Sequence, residues 1–347
     1  MKKYKIGIAG YFATGKSKAG GQEAKTCSLD KILKEKYGKN NIFNVDTTNW
    51  KKKPMHLFFD LIKLPILCEN IVILPAQNSV KFFVPILLLI NIFFRRRIYY
   101  SVVGGWLPDF LRDHNYMIFL LKKLHGIWVE TLTMKEKLEE LGFYNVDIIV
   151  NFKHINQVSP DALKFSYEEP FCLCTFSRIM KEKGIEDAIE AVEYINNLYK
   201  KEVFKLDIYG KVEEQYIEEF NEILKKVPSY ISYKGIVEPE NSTETLKDYF
   251  ALLFPTHYYT EGVPGTIIDA YTAGVPVVCA LWGNSKDVFI DRVTGIGYEF
   301  NNVTALKEVL KEIYICPEKI ICMKYNCLKE AKKYNPNVVI KILEKYF

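Results

Sequence analysis

No Asp-x-Asp pair occurs anywhere in the 347 residues, so the usual carboxylate pair for holding a metal against a diphosphate is missing. No apolar run reaches the roughly 20 residues that span a bilayer. The most apolar stretch, Val80 to Phe94 (VKFFVPILLLINIFF), is 15 residues long and contains Lys81 and Pro85. Internal repeats and low-complexity tracts are also lacking, which argues against a solenoid or an extended linker. The eight cysteines form no metal framework. Cys316, Cys322 and Cys327 have no histidine partner at zinc spacing, and Cys172-x-Cys174 lies on an apolar strand whose side chains alternate faces. No signal-peptide pattern precedes the first strand-like segment, so reduced cytosolic thiols are expected.

What is present describes a two-domain globular chain. The length suits two domains of roughly 150 residues each, and a hydrophobic share of 49% supports a well-buried core. Net charge is only +5, but residues 1–157 hold 24 of the 47 Lys+Arg and 13 of the 42 Asp+Glu, so the first half is near +11 and the rest near −6. Such asymmetry points to an anionic partner for the first half, nucleic acid or a membrane surface. The aromatics show no interleaved basic motif, which sets nucleic acid aside. Arg95-Arg96-Arg97 directly follow the apolar stretch. That stretch reads as a buried helix between parallel strands, and also as a segment that inserts partly into a membrane interface with its arginines on anionic headgroups.

The stretch that organises the chain is Leu253 to Val278, LFPTHYYTEGVPGTIIDAYTAGVPVV. A short apolar strand at 251–254, a polar loop, a helix over about 266–273 stopped by Gly274, and a second strand at 275–280 make one βαβ unit. In Gly262-Val263-Pro264-Gly265-Thr266, the two glycines let backbone approach a ligand without a Cβ in the way. The helix then opens with unpaired N–H groups and the positive end of its dipole, which favour a phosphate. Glu261 and Asp269 flank this loop, and Asp269 falls in the first turns of the helix, where a carboxylate can accept hydrogen bonds from vicinal hydroxyls. Phosphate and hydroxyls within reach of one helix describe a nucleotide. His257, just upstream, is a candidate to line the same pocket, although a lone loop histidine is more often incidental.

Two readings compete near the N-terminus. After a strand at 5–9, Gly10 to Ser17 (GYFATGKS) matches the P-loop pattern G-x4-G-K-[ST], in which Lys16 would reach β- and γ-phosphates and Ser17 would hold Mg²⁺. A P-loop needs its helix to open at Gly-Lys-Ser, however. Here Gly20-Gly21 interrupt it, and the amphipathic pattern of Ala24, Leu29, Ile32 and Leu33 starts only afterwards. On the second reading Gly20-Gly21 open the first helix of a Rossmann half and bring N–H groups near a phosphate or the sugar beside it. Further strands are expected at 42–45, 71–74, 98–103, 127–130 and 146–150. The one at 98–103 ends in Gly104-Gly105-Trp106-Leu107-Pro108-Asp109, where open α/β sheets bind ligands; Gly104, Gly105 and Asp109 are candidate acceptor contacts.

A second domain restarts with a strand at 171–176, followed by Ser177-Arg178-Ile179-Met180-Lys181-Glu182-Lys183-Gly184 and a helix from 185. Arg178 and Lys183, after the first strand of a second Rossmann unit, are placed to neutralise a diphosphate leaving group. Without a metal, these cations and the helix start at Gly265-Thr266 would carry the electrostatic stabilisation.

Glu261 through Asp269 resembles the E-x7-E signature of retaining GT-B glycosyltransferases of the group 1, GT4-like type, with Asp in the second acidic position. Arg178-x4-Lys183-Gly184 resembles that family's GR-x4-KG motif, with Ser177 in place of its first Gly. Gly20-Gly21 resembles its N-terminal Gly-Gly loop, and GGWLPDF looks like a variant from capsule and exopolysaccharide transferases, without the His many members carry there. The resemblance implies an α/β GT-B fold: two Rossmann-like domains with parallel sheets facing a cleft, the acceptor domain over 1–157, the donor domain over 158–325, and a C-terminal helix over 326–347 returning to the first domain. It implies that Glu261 contacts the donor sugar, that Gly262, Val263, Pro264, Gly265 and Thr266 cradle the diphosphate, that Asp269 binds the ribose, and that backbone near Ile236 contacts the base. The expected activity is metal-independent, cofactor-independent transfer of a sugar, with retention, from a UDP- or GDP-sugar to a lipid-linked glycan acceptor in cell-surface polysaccharide assembly (class EC 2.4). The enzyme is expected in the cytoplasm, peripherally on the inner face of the cell membrane. The alternatives are a P-loop NTPase using Gly10–Ser17 and a non-catalytic nucleotide-sugar or membrane-binding module.

Overall fold

The structure, a computed structural model, describes residues 4–13, 20–48, 50, 52, 54–154 and 156–347. The chain divides into two units, one of residues 1–153, 260–263 and 335–347, the other of residues 154–259 and 264–334. The division comes at 153/154, where the sequence reading put it at 157/158, and the segment that returns to the first unit begins at Asn335 instead of 326.

The first unit is built on six parallel strands: β1 (Tyr4–Gly10), β2 (Ile42–Asp46), β3 (Cys68–Ile73), β4 (Arg97–Ser101), β5 (Gly126–Val129) and β6 (Val146–Ile148). Their order is β2-β1-β3-β4-β5-β6. The second carries β7 (Phe171–Phe176), β8 (Phe204–Tyr209), β9 (Ile231–Gly235), β10 (Ala251–Phe254), β11 (Val277–Leu281) and β12 (Gly295–Glu299), also all parallel, in the order β12-β11-β10-β7-β8-β9. A parallel sheet must be covered on both faces, which is why its central strands are continuous apolar runs. Ala251, Leu252, Leu253 and Phe254 of β10 are all buried, as are Ile6, Ile8 and Ala9 of β1. The α/β, doubly Rossmann-like architecture expected from the sequence is the one observed.

In each sheet the strand order reverses once, between β1 and β3 in the first unit and between β7 and β10 in the second. At such a switch point the connections leave in opposite directions and open a crevice beyond the carboxyl ends of the strands. The glycine pair follows β1, and the Arg178–Gly184 and Pro255–Gly265 segments follow β7 and β10. The helix Gly21–Tyr37 starts at Gly20, whose backbone is extended (φ −113°, ψ 144°). Gly15, Lys16 and Ser17 lie outside the described residues, and the described helix opens after the extended Gly20. The P-loop reading is not favoured.

Two helices bear on the expected roles. The apolar stretch forms the helix Gln77–Phe94, but only one of its faces is covered. Val80, Phe83, Val84 and Leu87 pack into the core, while Phe82, Leu89, Ile92 and Phe93 are exposed, Phe93 by 83%. By length and composition this is one helix able to cross a membrane, yet its inner face is part of the first unit's core. The C-terminal helix Pro336–Leu343 docks on the first unit through Val339 and Leu343, and Tyr346 follows it to lie 5.1 Å from the Trp128 ring.

Under the second sheet the helix Lys324–Ala331 packs against the helix Gly265–Thr272 and buries Lys324 completely. Burial pushes the Lys324 ammonium down to about 8, against smaller raising effects of Cys327 and Asp248. The folded pKa lies below the unfolded one, so between about pH 8 and 10.5 the unfolded chain holds the extra proton and stability rises with pH. Replacement Lys324→Met is expected to stabilise the protein at pH 7 by about 3 kcal/mol at most. The gain should shrink across pH 8–10.5 in paired urea melts. Parallel stability curves for the two proteins over that range would contradict a neutralised buried lysine.

Candidate active site

In the second unit the loops leaving β7 and β10 are stitched together. Gly184 caps the helix Ile185–Tyr199 in a left-handed conformation (φ +66°), and a Cβ there would lie 1.8 Å from the Pro255 carbonyl oxygen. Only glycine permits both this backbone turn and this approach. The next residues continue the seam: the His257 N–H donates to the Glu182 carbonyl at 2.8 Å, and the Thr256 hydroxyl donates to the same oxygen at 3.4 Å. His257 Nε2 lies 2.7 Å from Asp187 Oδ2, so its ring is held at the start of the helix Ile185–Tyr199.

This seam sets the two cations. Lys183 sits in a tight turn over Lys181–Lys183 with its Nζ 5.8 Å from the Phe254 ring and 5.9 Å from the Tyr258 ring, both on the β10 side. Arg178 leaves β7 and pairs with Glu213, Nη1 to Oε1 at 2.6 Å, with both side chains about 40% exposed. The Glu213 N–H in turn donates to the Ile179 carbonyl at 3.0 Å. Both cations therefore lie at the carboxyl end of the sheet beside the switch point.

The helix Gly265–Thr272 starts at Pro264, which is extended, so its first N–H groups have no preceding turn to accept them. Thr266 Oγ1 is buried beside them with no hydrogen-bond partner among the described residues. A buried hydroxyl of this kind costs free energy unless something meets it, and it stands where an anion is favoured. Asp269 is 2% exposed and accepts from the Ser242 hydroxyl at 3.0 Å. Ser242 opens the short helix Ser242–Leu246 and was not singled out from the sequence. Ile236, 59% exposed, follows Gly235 at the carboxyl end of β9.

Thr260 to Val263 belong to the first unit and are held there by three bonds. The Gly105 N–H donates to the Thr260 carbonyl at 2.8 Å, the Val263 N–H donates to Glu130 Oε2 at 2.9 Å, and Asn151 Nδ2 donates to the Val263 carbonyl at 3.0 Å. A Cβ on Gly262 would lie 2.0 Å from Glu130 Oε2 and 2.9 Å from Gly104 Cα. Here close approach of protein to protein requires glycine. Glu261 lies within this anchored segment. The Gly105 amide is thus already in use, and Asp109 pairs with Arg112 at 3.1 Å on an exposed helix face. Gly20 and Gly21 are different: among the described residues nothing lies within 4 Å of where their Cβ atoms would be. Among the described residues no group of three His, Cys, Asp or Glu side chains is arranged to hold a metal ion.

The glycine at the seam gives a direct test. Gly184→Ala forces a Cβ into the Pro255 carbonyl and a left-handed turn that alone costs about 1–2 kcal/mol. A lower melting temperature and a urea-melt loss of at least that size are expected; a loss under about 0.5 kcal/mol, the scatter of neutral surface changes, would mean that the two loops are not in contact.

Residues 161–333 match the family described as Glycosyl transferases group 1. Among solved structures, HepE from Anabaena, crystallised with UDP and glucose, superposes with a TM-score of 0.75 at 13% identity, over 99% of this chain and 98% of its own. Sucrose-phosphate synthase from Thermosynechococcus elongatus superposes with a TM-score of 0.76 at 13% identity, over 99% and 98%. The pneumococcal O-GlcNAc transferase GtfA, in complex with UDP and GlcNAc, gives 0.63 at 16% identity over 83% of this chain and 58% of its own. Likeness at these identities speaks to the fold. No curated protein sequence matches this one.

Proposed function

From the premise that residues 161–333 form a group 1 glycosyltransferase domain in a GT-B fold, we propose that the protein transfers a sugar, with retention and without a metal or other cofactor, from a UDP- or GDP-sugar to a lipid-linked glycan acceptor. The observation that carries this reading is the seam between the β7 and β10 loops. It sets Lys183 beside Phe254 at the switch point of the sheet, with Arg178 at the end of neighbouring β7. HepE, crystallised with UDP and glucose, offers a nucleotide and a sugar as the first ligands to try.

In the proposed reaction the departing nucleoside diphosphate meets the N–H groups of Gly265 and Thr266 and the charges of Arg178 and Lys183, which stabilise negative charge as it develops. Glu261 holds hydroxyls of the donor sugar. Asp269, which Ser242 holds, is assigned to the ribose, and backbone at Ile236 to the base. The leaving phosphate takes the proton of the attacking acceptor hydroxyl, which delivers the acceptor to the face the diphosphate leaves and so retains configuration. Gly20 and Gly21 admit the diphosphate side of the donor; Gly104, Gly105 and Asp109 are assigned to the acceptor.

A thermal-shift series with UDP-, GDP-, CDP- and ADP-sugars, each with and without Mg²⁺, tests the donor class. Stabilisation by one nucleotide family, equal with and without Mg²⁺, is expected; no shift with any of them would refute the proposal. Loss of either cation, in Arg178→Ala or Lys183→Ala, should lower kcat by about 10²–10³-fold. Glu261→Ala should nearly abolish transfer while leaving the melting temperature unchanged. Binding of nucleotide sugar without turnover on any acceptor would favour a non-catalytic module.

The proposed lipid-linked acceptor calls for a membrane-facing surface, and we place the enzyme in the cytoplasm on the inner face of the cell membrane. The supporting feature is in the first unit. Phe82, Leu89, Ile92 and Phe93 on one helix and Met55, Phe58 and Phe59 on the helix Pro54–Leu67 are exposed apolar groups. A cavity of about 660 Å³ lined by Pro85, Leu88, Leu89 and Ile92 is rimmed by Arg95, Arg96 and Lys123. Apolar surface with a cationic rim suits an anionic bilayer. Flotation with phosphatidylglycerol-containing vesicles should recover the protein. Replacement of Arg95, Arg96 and Arg97 by Glu should weaken binding by more than the roughly 100-fold that loss of three positive charges costs at about 1 kcal/mol each. Flotation of the triple variant equal to wild type would remove the arginines from the surface.

A further inference from the structure

We propose that the buried Lys25–Glu130 pair is a positioning device that holds the backbone of Thr260–Val263 and so presents Glu261 for the transfer reaction. The inference rests on the proposed function for its catalytic meaning and on geometry for the anchor itself. Lys25 lies in the second turn of the helix Gly21–Tyr37, and Glu130 directly follows β5. They are 105 positions apart, and their side chains are only 2% and 3% exposed. Lys25 Nζ donates to Glu130 Oε1 at 2.6 Å and to the Val102 carbonyl at 2.8 Å. Glu130 Oε2 is thereby left to accept the Val263 N–H at 2.9 Å.

The division of labour between the two carboxylate oxygens is the core of the argument. A buried carboxylate needs a cation and donors on its remaining lone pairs. Lys25 supplies the cation to one oxygen. The loop supplies a backbone donor to the other, and Gly262 supplies the room, since any Cβ there would collide with Oε2. The segment on either side of Val263 is therefore registered against a charge that cannot move without breaking a buried ion pair. Glu261 lies two residues before Val263 and one after Thr260, whose carbonyl is held by Gly105. Its backbone is thus fixed from both sides. None of this contact requires substrate, which makes Lys25 and Glu130 positioning residues and not catalytic ones.

The test separates the acceptor from the charge. In K25M/E130L the ion pair is removed together with the acceptor for the Val263 N–H. In K25M/E130Q the charge is removed, but the single amide oxygen remains free to accept that N–H. In E130Q with Lys25 present, one of the two positions occupied by the carboxylate oxygens becomes an NH₂ donor, which faces either the Lys25 ammonium or the Val263 N–H. Two readouts apply, hydrogen exchange of the Val263 amide in the free protein, and kcat and KM for UDP-glucose turnover.

The proposal expects faster Val263 exchange and a kcat lower by about 100-fold, with KM little changed, in K25M/E130L, as for a misplaced reacting group. K25M/E130Q should restore slow exchange and most of kcat. Equal behaviour of the two double variants would overturn the proposal, because a merely structural pair would not distinguish Leu from Gln. Unchanged exchange at Val263 in K25M/E130L would overturn the anchor. Altered exchange with unchanged kcat would overturn the positioning role. If wild type turns over neither UDP-glucose nor any other of the four nucleotide-sugar classes, the transferase reading fails, and the exchange measurement alone decides the anchor.

Discussion

The contact between Gly184 and the Pro255 carbonyl is the constraint on which the second unit's site depends. Parallel strands deliver their loops to one edge of the sheet, and the reversal of order between β7 and β10 leaves a gap there. A gap becomes a site only if the loops bordering it keep a fixed separation. Here one loop turns left-handed at a residue without a side chain, and the other presses a backbone oxygen into the vacancy. Every later feature inherits that registration: the Glu182 carbonyl receives His257, the histidine ring receives Asp187, and Lys183 is brought against Phe254.

The first unit solves a related problem with charge where the second uses shape. Glu130 is buried at a strand end, and the structure meets its two oxygens with a lysine from one side and a loop amide from the other. A buried ion pair contributes little net stability compared with apolar residues of the same volume, but breaking one partner away is strongly unfavourable. Such a pair therefore suits the fixing of a position better than the strengthening of a core. Lys324 in the second unit makes the contrast. Its Nζ donates to the Tyr249 carbonyl at 3.5 Å and lies 5.4 Å from the Tyr167 ring, with no ion pair to a carboxylate among the described residues, and burial pushes its pKa down to about 8.

Most of the fold was legible because the sheet strands are short apolar runs with glycine or polar residues at their ends. The strands at 171–176 and 251–254 were read with the observed limits. β12 was missed, because Gly295 and Gly297 in GIGYE dilute the apolar pattern that marks a strand. β3 begins three residues earlier than expected, at Cys68-Glu69-Asn70, where polar residues join the ladder near its edge. The helix Gln77–Phe94 is apolar on both sides, and periodicity cannot say which face a tertiary neighbour will cover. Of the site, the glycines and cations were legible as local motifs with fixed spacing. Lys25 with Glu130, Asp269 with Ser242 and His257 with Asp187 were not, since partners 105, 27 and 70 positions apart leave no local pattern.

The pairing of Arg178 with Glu213 bears on how the proposed site could receive a diphosphate. The pair is about 40% exposed on both sides, and exposed pairs of this kind contribute about 0–1 kcal/mol. A guanidinium so lightly held is oriented at little cost and released at little cost. A diphosphate offers it bidentate, charge-assisted hydrogen bonds that are about twice as strong as neutral ones. In the proposed reaction Glu213 therefore acts as a placeholder: it keeps the cation at the strand end while the site is empty and gives it up when the greater charge arrives. Lys183 lies with its Nζ 5.8 Å from the Phe254 ring and 5.9 Å from the Tyr258 ring. In the proposed reaction both cations therefore stand at the strand ends before any donor enters, Arg178 against Glu213 and Lys183 in the turn that the Gly184–Pro255 contact fixes.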